Sequence, residues 1–414
     1  MELLPNKPLW TRDFTIITLG TVVSMLGNAV AGFAIGLLVL DYTDSVFLYA
    51  FFMVCYSLPR VVMPLLAGPF LDRFSRRKVI YTLDFLSSGL YVLIFLLLRR
   101  QWFNYPVFIL VAMFVGAIDS VYAVAYESFY PTLISRGNFT RAYSIASLIQ
   151  PLATTIMVPI AGVCYQSIGL APLFVFNAVT FFIAALAETR ITSGEAHEQI
   201  REKEKFNRKR FLTDFKDGIA YLNREQGLAT ITWYFFVSTL TYAVVSTLTL
   251  PYFKSHAVFN VTHYTIIMAV STVGRLIGGT IHYRYRFPAG KKFAIAIFVY
   301  VILSVMEGTY LFLPLIGMLC VQLVEGILSV TSYNIRLSGT QNYVQDIMRG
   351  RFNGIFQMLN ILGAIGGQLI AGVLGEFLPV RSVIVCAMAL NIVGVFVVLM
   401  PHKDAVRRIY NVNV

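Results

Sequence analysis

Twelve times along this 414-residue chain the sequence runs for about 20 residues that are almost wholly apolar, the length a helix needs to cross the hydrocarbon core of a bilayer. The windows are 14–40, 46–70, 79–98, 105–130, 140–165, 171–189, 229–253, 262–283, 292–313, 314–336, 351–374 and 381–400. Backbone N–H and C=O groups in hydrocarbon must be paired inside their own segment or in a closed barrel. The polar/apolar alternation of barrel strands is absent, so each window is read as a helix. A water-soluble fold is excluded by the same residues: 57% are hydrophobic and only 13% charged, which would leave large apolar patches in water. The expected fold class is all-α membrane, with twelve transmembrane helices, spans one to twelve in chain order. Lys7 and Arg12 precede the first window, which is too long for a signal-peptide core and is read as a retained span.

The excess of 33 Lys+Arg over 21 Asp+Glu would suit a nucleic-acid partner if it formed a patch. It lies between the apolar windows instead. With the N-terminus in the cytoplasm, Arg73, Arg76, Arg77, Lys78, Arg136, Arg141, Arg284, Arg286, Lys291, Lys292, Arg349, Arg351, Lys403, Arg407 and Arg408 all fall on the inner side, against Arg99, Arg100, Lys254 and Arg381 outside. The positive-inside rule therefore predicts cytoplasmic termini and no nucleic-acid partner. Cys55, Cys164, Cys320 and Cys386 stand alone in apolar sequence and predict neither disulfide nor metal site.

One long polar segment, 190–228, divides the chain into an N-terminal six-helix bundle, 1–189, and a C-terminal one, 229–414, that ends in a short tail. In that segment Phe211, Leu212, Phe215, Ile219 and Leu222 recur at helical spacing opposite Asp214, Lys216 and Asp217. This is either an amphipathic helix on the inner membrane surface or a solvated linker helix. The halves repeat at an offset near 210 residues: Arg141 with Arg351, Gly162 with Gly372, Gly68 with Gly278. Such repeats characterise secondary transporters.

The loop after span two reads Gly68-Pro69-Phe70-Leu71-Asp72-Arg73-Phe74-Ser75-Arg76-Arg77-Lys78. It resembles the cytoplasmic signature of the major facilitator superfamily, and the span count, central loop and repeat extend that resemblance over the whole chain. The resemblance implies two pseudo-symmetric six-helix bundles and alternating access. It also implies an inner gate in which Gly68 lets helices approach closely while Asp72, Arg73, Arg76 and Arg77 form a charged network with the start of span eleven, near Arg349 and Arg351. The stretches Phe211 to Leu222 and Thr340 to Arg351 are similar to the drug:proton antiporter branch that includes macrolide-efflux and enterobactin-export proteins. Span five, Gln150-Pro151 through Pro159-Ile160-Ala161-Gly162, keeps the prolines of the antiporter signature and only its final glycine.

A charge at mid-span costs about 2.5–3.5 kcal/mol on insertion scales, so each needs a partner, water or a task. Arg60 (span two), Asp119 and Glu127 (four), Arg275 (eight), Glu307 (nine) and Glu325 (ten) are such charges. The resemblance implies that spans one, four, seven and ten line the cavity and spans three, six, nine and twelve support it from outside, which singles out Asp119, Glu127 and Glu325. Asp119 and Glu127 share roughly one helix face, with Tyr122 and Tyr126 beside it. A desolvated carboxylate titrates closer to neutrality, as proton coupling requires, and Asp119 or Glu325 is the expected carrier. Glu127 belongs either to the inner gate with Arg141 or to a structural ion pair with Arg60 or Arg141. Glu307 is assigned a structural or outer-surface place. Arg60 and Arg275 either grip an anionic substrate group or pair with the acids. Asn28, Tyr122, Gln150 and Asn360 add hydrogen-bonding capacity to the expected cavity.

No metal-ligand pair, nucleophile elbow or phosphate-cradling loop is present, and the five histidines are scattered, so neither an enzyme nor a cofactor is expected. The expected function is secondary active transport of a small amphipathic molecule across the plasma membrane by a monomer, driven by protons and directed outward. Proton-coupled uptake of a nutrient or anion, and a non-transporting receptor on the same scaffold, stand as alternatives.

Overall fold

A computed structural model describes residues 8–63, 74–135, 138–192, 208–285 and 287–411. Among the described residues the chain is all helix and turn, with twelve helices long and apolar enough to cross a membrane. These spans 1 to 12 are Arg12–Thr43, Val46–Met63, Arg76–Arg99, Tyr105–Leu133, Arg141–Ile168, Ala171–Glu188, Gln226–Ser255, Val261–His282, Ala289–Phe312, Leu315–Tyr343, Met348–Phe377 and Val380–Tyr410. A linker helix, Arg208–Arg224, precedes span 7.

Local sequence accounts for where the helices start and stop. The Thr11 hydroxyl accepts from the Phe14 N–H at 3.3 Å, and Asn104 caps span 4 by accepting from the Val107 N–H, also at 3.3 Å. At span 8, Asn260 and His263 satisfy each other's backbone N–H groups, both at 3.1 Å. Such caps fill donors that a helix leaves open at its start. Span 5 ends at Gly169, whose φ of 82° lies in the region that disfavours side chains.

Span 12 outruns its apolar window. A π-helical turn over Val395–Leu399 and a short 3₁₀ turn at Met400–His402 redirect it into Lys403–Tyr410. There Val406, Ile409 and Tyr410 are buried, and the Tyr410 hydroxyl meets that of Tyr300 at 3.0 Å. The charged residues of this segment occupy one face, so its apolar stripe is invisible to a hydropathy window. The linker helix packs part of its apolar face on span 11. Leu222 is buried with Phe352 and Ile355 of span 11, and Gly218 lets the helix sit against Ile355. The side chains of Phe211, Leu212, Asp214 and Phe215 lie outside the described residues.

The chain divides into two compact units. The first holds span 1, span 2 from Cys55 onward, and spans 3 to 6; the second holds Ser45–Val54, the linker helix and spans 7 to 12. Inside the first unit, span 6 packs on spans 1 and 3, and span 1 on span 5. Inside the second, span 12 packs on spans 7 and 9, and span 7 on span 11. The repeat is thus expressed as the same pairwise packing. Within the second unit the start of span 2 docks on span 11, where the Glu376 carboxylate accepts from the Ser45 hydroxyl at 3.2 Å and the Phe47 N–H at 3.1 Å. An acid at a helix N-terminus is favoured by the helix dipole. Apolar side chains such as Phe377 (81% exposed) and Ile316 (76%) point outward, as helices solvated by lipid require.

Two glycines set close helix contacts beside the membrane acids. A Cβ on Gly116 of span 4 would lie 2.2 Å from the Tyr56 carbonyl oxygen of span 2, and one on Gly326 of span 10 would lie 2.1 Å from the Ser271 carbonyl oxygen of span 8. Small residues permit this approach and any side chain forces the backbones apart. Gly326→Ala is therefore expected to destabilise the protein by about 1–3 kcal/mol. Gly354→Ala, where a Cβ meets open space, should be neutral or slightly stabilising. Thermal unfolding in detergent compares the two, and equal melting temperatures would refute the contact.

Candidate functional site

The Gly116 contact brings Asp119, one turn on along span 4, against span 2. The Tyr56 hydroxyl donates to Asp119 Oδ2 at 2.7 Å. One turn after Tyr56, Arg60 Nη2 donates to that hydroxyl at 2.6 Å and to Asp119 Oδ2 at 3.2 Å. The guanidinium also lies over the Tyr56 ring, 4.5 Å from its centroid. Asp119 thus carries a charge-assisted pair reinforced by a phenol.

The second unit repeats the plan. The Ser271 hydroxyl, on span 8, donates to Glu325 Oε2 at 2.9 Å, and one turn later Arg275 Nη2 donates to Ser271 Oγ at 3.3 Å. Ser271 and Glu325 are buried. Tyr56 and Ser271, like Arg60 and Arg275, are 215 residues apart, whereas Gly116 and Gly326 are 210 apart. Each unit therefore holds an acid on its fourth span, an arginine on its second, and a hydroxyl one turn before that arginine that donates to the acid. Glu307 is buried in this second cluster, not at a surface, and accepts from Gln322 Nε2 at 3.1 Å.

Spans 7, 10 and 11 of the second unit line an open cavity of about 320 Å³ with Phe235, Thr239, Ser332, Arg336, Gln357 and Asn360, among others. Arg336 lies over three aromatic rings, 4.7 Å from the Phe356 centroid, 5.1 Å from Phe235 and 5.3 Å from Tyr333. No described carboxylate is ion-paired with it. Asn360 Oδ1 accepts from the Thr239 hydroxyl at 2.5 Å. The wall thus combines an aromatic-held cation with amide and hydroxyl groups, a set that can take an anionic or polar group on an apolar body.

The remaining expected residues are dispersed. Tyr122 stacks on Tyr126, centroids 6.1 Å apart, and has no part in the Asp119 hydrogen bonds. Asn28 is half-buried on span 1, and Gln150 is exposed on span 5. Glu127 and Arg141 are exposed, and among the described residues Glu127 pairs with neither Arg60 nor Arg141. Arg76 donates to the Ser128 carbonyl at 3.1 Å and Arg77 to that of Ile191. Arg349 is half-buried, and Arg351 lies 3.6 Å from Asp217 of the linker helix. Gly68, Asp72 and Arg73 lie outside the described residues. Tyr56, Ser271, Gln322 and Arg336 escaped the sequence reading. The spacing of a hydroxyl four residues before each membrane arginine was the signal that could have found the first two.

The comparisons with known proteins agree with this architecture. Residues 17–367 match the Major Facilitator Superfamily. The enterobactin exporter EntS of Citrobacter koseri is 25% identical over 412 residues, 97% of this chain and 93% of its own length. YkuC of Bacillus subtilis, an uncharacterised transporter of the same type, is 24% identical over 283 residues; the match covers 64% of this chain and spans 65% of that relative. Among solved structures, the nucleoside transporter NupG gives a TM-score of 0.67 at 15% identity, covering 94% of this chain and 99% of NupG. A bacterial homologue of the iron transporter ferroportin, in its inward-facing state, gives 0.67 at 16% identity, covering 95% and 98%. At those identities the likeness is one of fold. With most of its length matched to that family and twelve helices arranged in its fold, the chain belongs to the Major Facilitator Superfamily, a secondary transporter of a small molecule and not an enzyme.

Proposed function

We propose that this protein is a proton-coupled exporter of a small amphipathic molecule bearing an anionic or polar group, acting at the plasma membrane with both termini in the cytoplasm. The observation that carries the reading is the pair of matched clusters, Asp119 with Tyr56 and Arg60, Glu325 with Ser271 and Arg275. Each places an ionisable acid inside the membrane span within reach of a donor that rewards its charged form. Protonating the acid replaces a charge-assisted bond, roughly twice as strong, by a neutral one. That difference lets a proton bias one arrangement of the helices over another. The outward direction is supported by the stretches before spans 7 and 11 and by similarity to an enterobactin exporter along nearly the whole chain. The excess of basic residues in the loops assigned to the inner side supports the topology.

The cavity at Arg336 supports a substrate with a negative or strongly accepting group. The three rings would stack on an aromatic body while the guanidinium, with its planar fork of donors, meets an oxygen pair. Gly68, Asp72, Arg73, Arg76 and Arg77 with Arg349 and Arg351 remain the proposed inner gate, with Glu127 and Arg141 beside it. Asn28, Tyr122, Gln150 and Asn360 are proposed to add polar contacts along the substrate path.

Two measurements test this reading. In proteoliposomes loaded with enterobactin, an imposed proton gradient should accelerate export by the unaltered protein, and Asp119→Asn or Glu325→Gln should each lower the gradient-driven rate at least tenfold. Full coupling in both variants would remove the acids from the mechanism, and no flux in the unaltered protein would favour the receptor alternative. Arg336→Ala should raise the half-saturating concentration of the probe about tenfold, the loss of one charge-assisted bond of about 1.5 kcal/mol. Arg336→Lys should fall between, because lysine keeps the charge but not the fork. An unchanged value in Arg336→Ala would place the substrate elsewhere.

A further inference from the structure

The first unit contains a second acidic site, away from the clusters just described. Asp84 lies on span 3 and Glu188 is the last residue of span 6; Asp84 is 1% exposed and Glu188 is 0%. Span 3 packs along span 6, and the two carboxyl groups interact across that contact. Yet none of their four oxygens receives a bond from a donor among the described residues. Span 1 seals the site with Gly20, where a Cβ would come to 3.0 Å from Glu188 Oε1.

Span 1 presents Gly20 and the hydroxyls of Thr21 and Ser24, which donate to carbonyls of their own helix at 2.8 and 3.1 Å. Asp13, at the start of that span, accepts from the Thr192 N–H at 3.2 Å and is itself an acid. Span 4 brings the phenols of Tyr122 and Tyr126, with Asp119 farther off. Span 3 adds Tyr91 and, two turns before Asp84, Arg77, whose guanidinium donates to the Ile191 carbonyl. Two facing carboxylates without a cation repel in a dry site, and both are acceptors only. Buried acceptors left without donors are costly, and a single hydrogen placed between the two groups supplies a donor to one and removes the charge of the other. No cluster of three or more metal-ligating side chains exists among the described residues, so a metal ion lacks the oxygens it needs.

We propose that Asp84 and Glu188 form a carboxylic acid–carboxylate pair that binds one exchangeable proton, a proton site of the first unit distinct from Asp119 and sealed by Gly20. The pair titrates as a unit, so its proton belongs to neither residue alone. In Asp84→Asn or Glu188→Gln the new amide N–H donates to the remaining carboxylate and takes over the role of that proton, so folding is retained.

The test uses the full-length, substrate-free protein in lipid nanodiscs, which keeps its outcome separate from that of the transport assays. An infrared difference spectrum between acidic and alkaline buffer should show the C=O stretch of a protonated carboxyl, shifted by hydrogen–deuterium exchange. Asp84→Asn and Glu188→Gln should each abolish it, whereas Asp119→Asn should leave it in place. Gly20→Ala, which presses a methyl on Glu188 without removing either acid, should displace the band and keeps the assignment testable if an amide variant is unstable. A spectrum without the band in the unaltered protein, or a band that survives both amide substitutions, overturns the proposal.

Discussion

Hydrocarbon cannot hydrogen-bond a peptide group, and the rest of this structure follows from that. Each crossing must close its backbone bonds internally, so each is helical. The driving force that joins soluble helices is absent between helices already solvated by lipid, so close van der Waals approach and polar contacts hold the bundle instead. Gly116 and Gly326 show how the two are linked. The same glycine that lets span 4 or span 10 touch its neighbour's backbone also carries the adjacent acid to its hydroxyl donor. Packing and chemistry are one arrangement at these points.

The repeat takes on physical meaning at the level of side chains. Arg60 and Arg275 keep one spacing and the glycines another, so a search at a single offset aligns either pair and misses the other. Arg60 precedes Gly68 by eight residues and Arg275 precedes Gly278 by three, so the five-residue difference falls between each arginine and the glycine that follows it. What is retained is the three-part unit of arginine, hydroxyl and acid. The units differ in detail: Arg60 reaches its acid directly, while Arg275 stops at the hydroxyl.

Most of the fold was legible because span length and hydropathy are properties of a contiguous stretch. The twelve windows were found on that basis, as were Asp119 and Glu325, since a lone charge stands out against leucine and valine. What stayed hidden depends on neighbours distant in sequence. Tyr56 and Ser271 are ordinary residues for a membrane helix until the acid opposite is known. Arg336 closes its apolar window and reads as a membrane-edge cation, yet three rings from two other helices and its own surround it. The tail after residue 400 reads as polar because hydropathy averages over faces; its three buried side chains occupy one stripe. Asp84 and Glu188 were passed over for a different reason. They lie on spans expected only to support the cavity, and neither shows from sequence that the other is its neighbour.

Three ways of holding an acid now stand side by side in one membrane protein. Asp119 meets a guanidinium and a phenol, Glu325 meets a hydroxyl and Glu307 an amide, and Asp84 with Glu188 meets only another acid. A carboxylate met by a cation exchanges a proton only as that partner moves away, since while they are paired desolvation is offset by attraction and hydrogen bonds. One met only by neutral donors is balanced less well, and two acids facing one another are not balanced at all until a proton lies between them. The order of these environments, not the mere presence of acids in the spans, decides where protons are held, and that order is written in which helices lie next to one another.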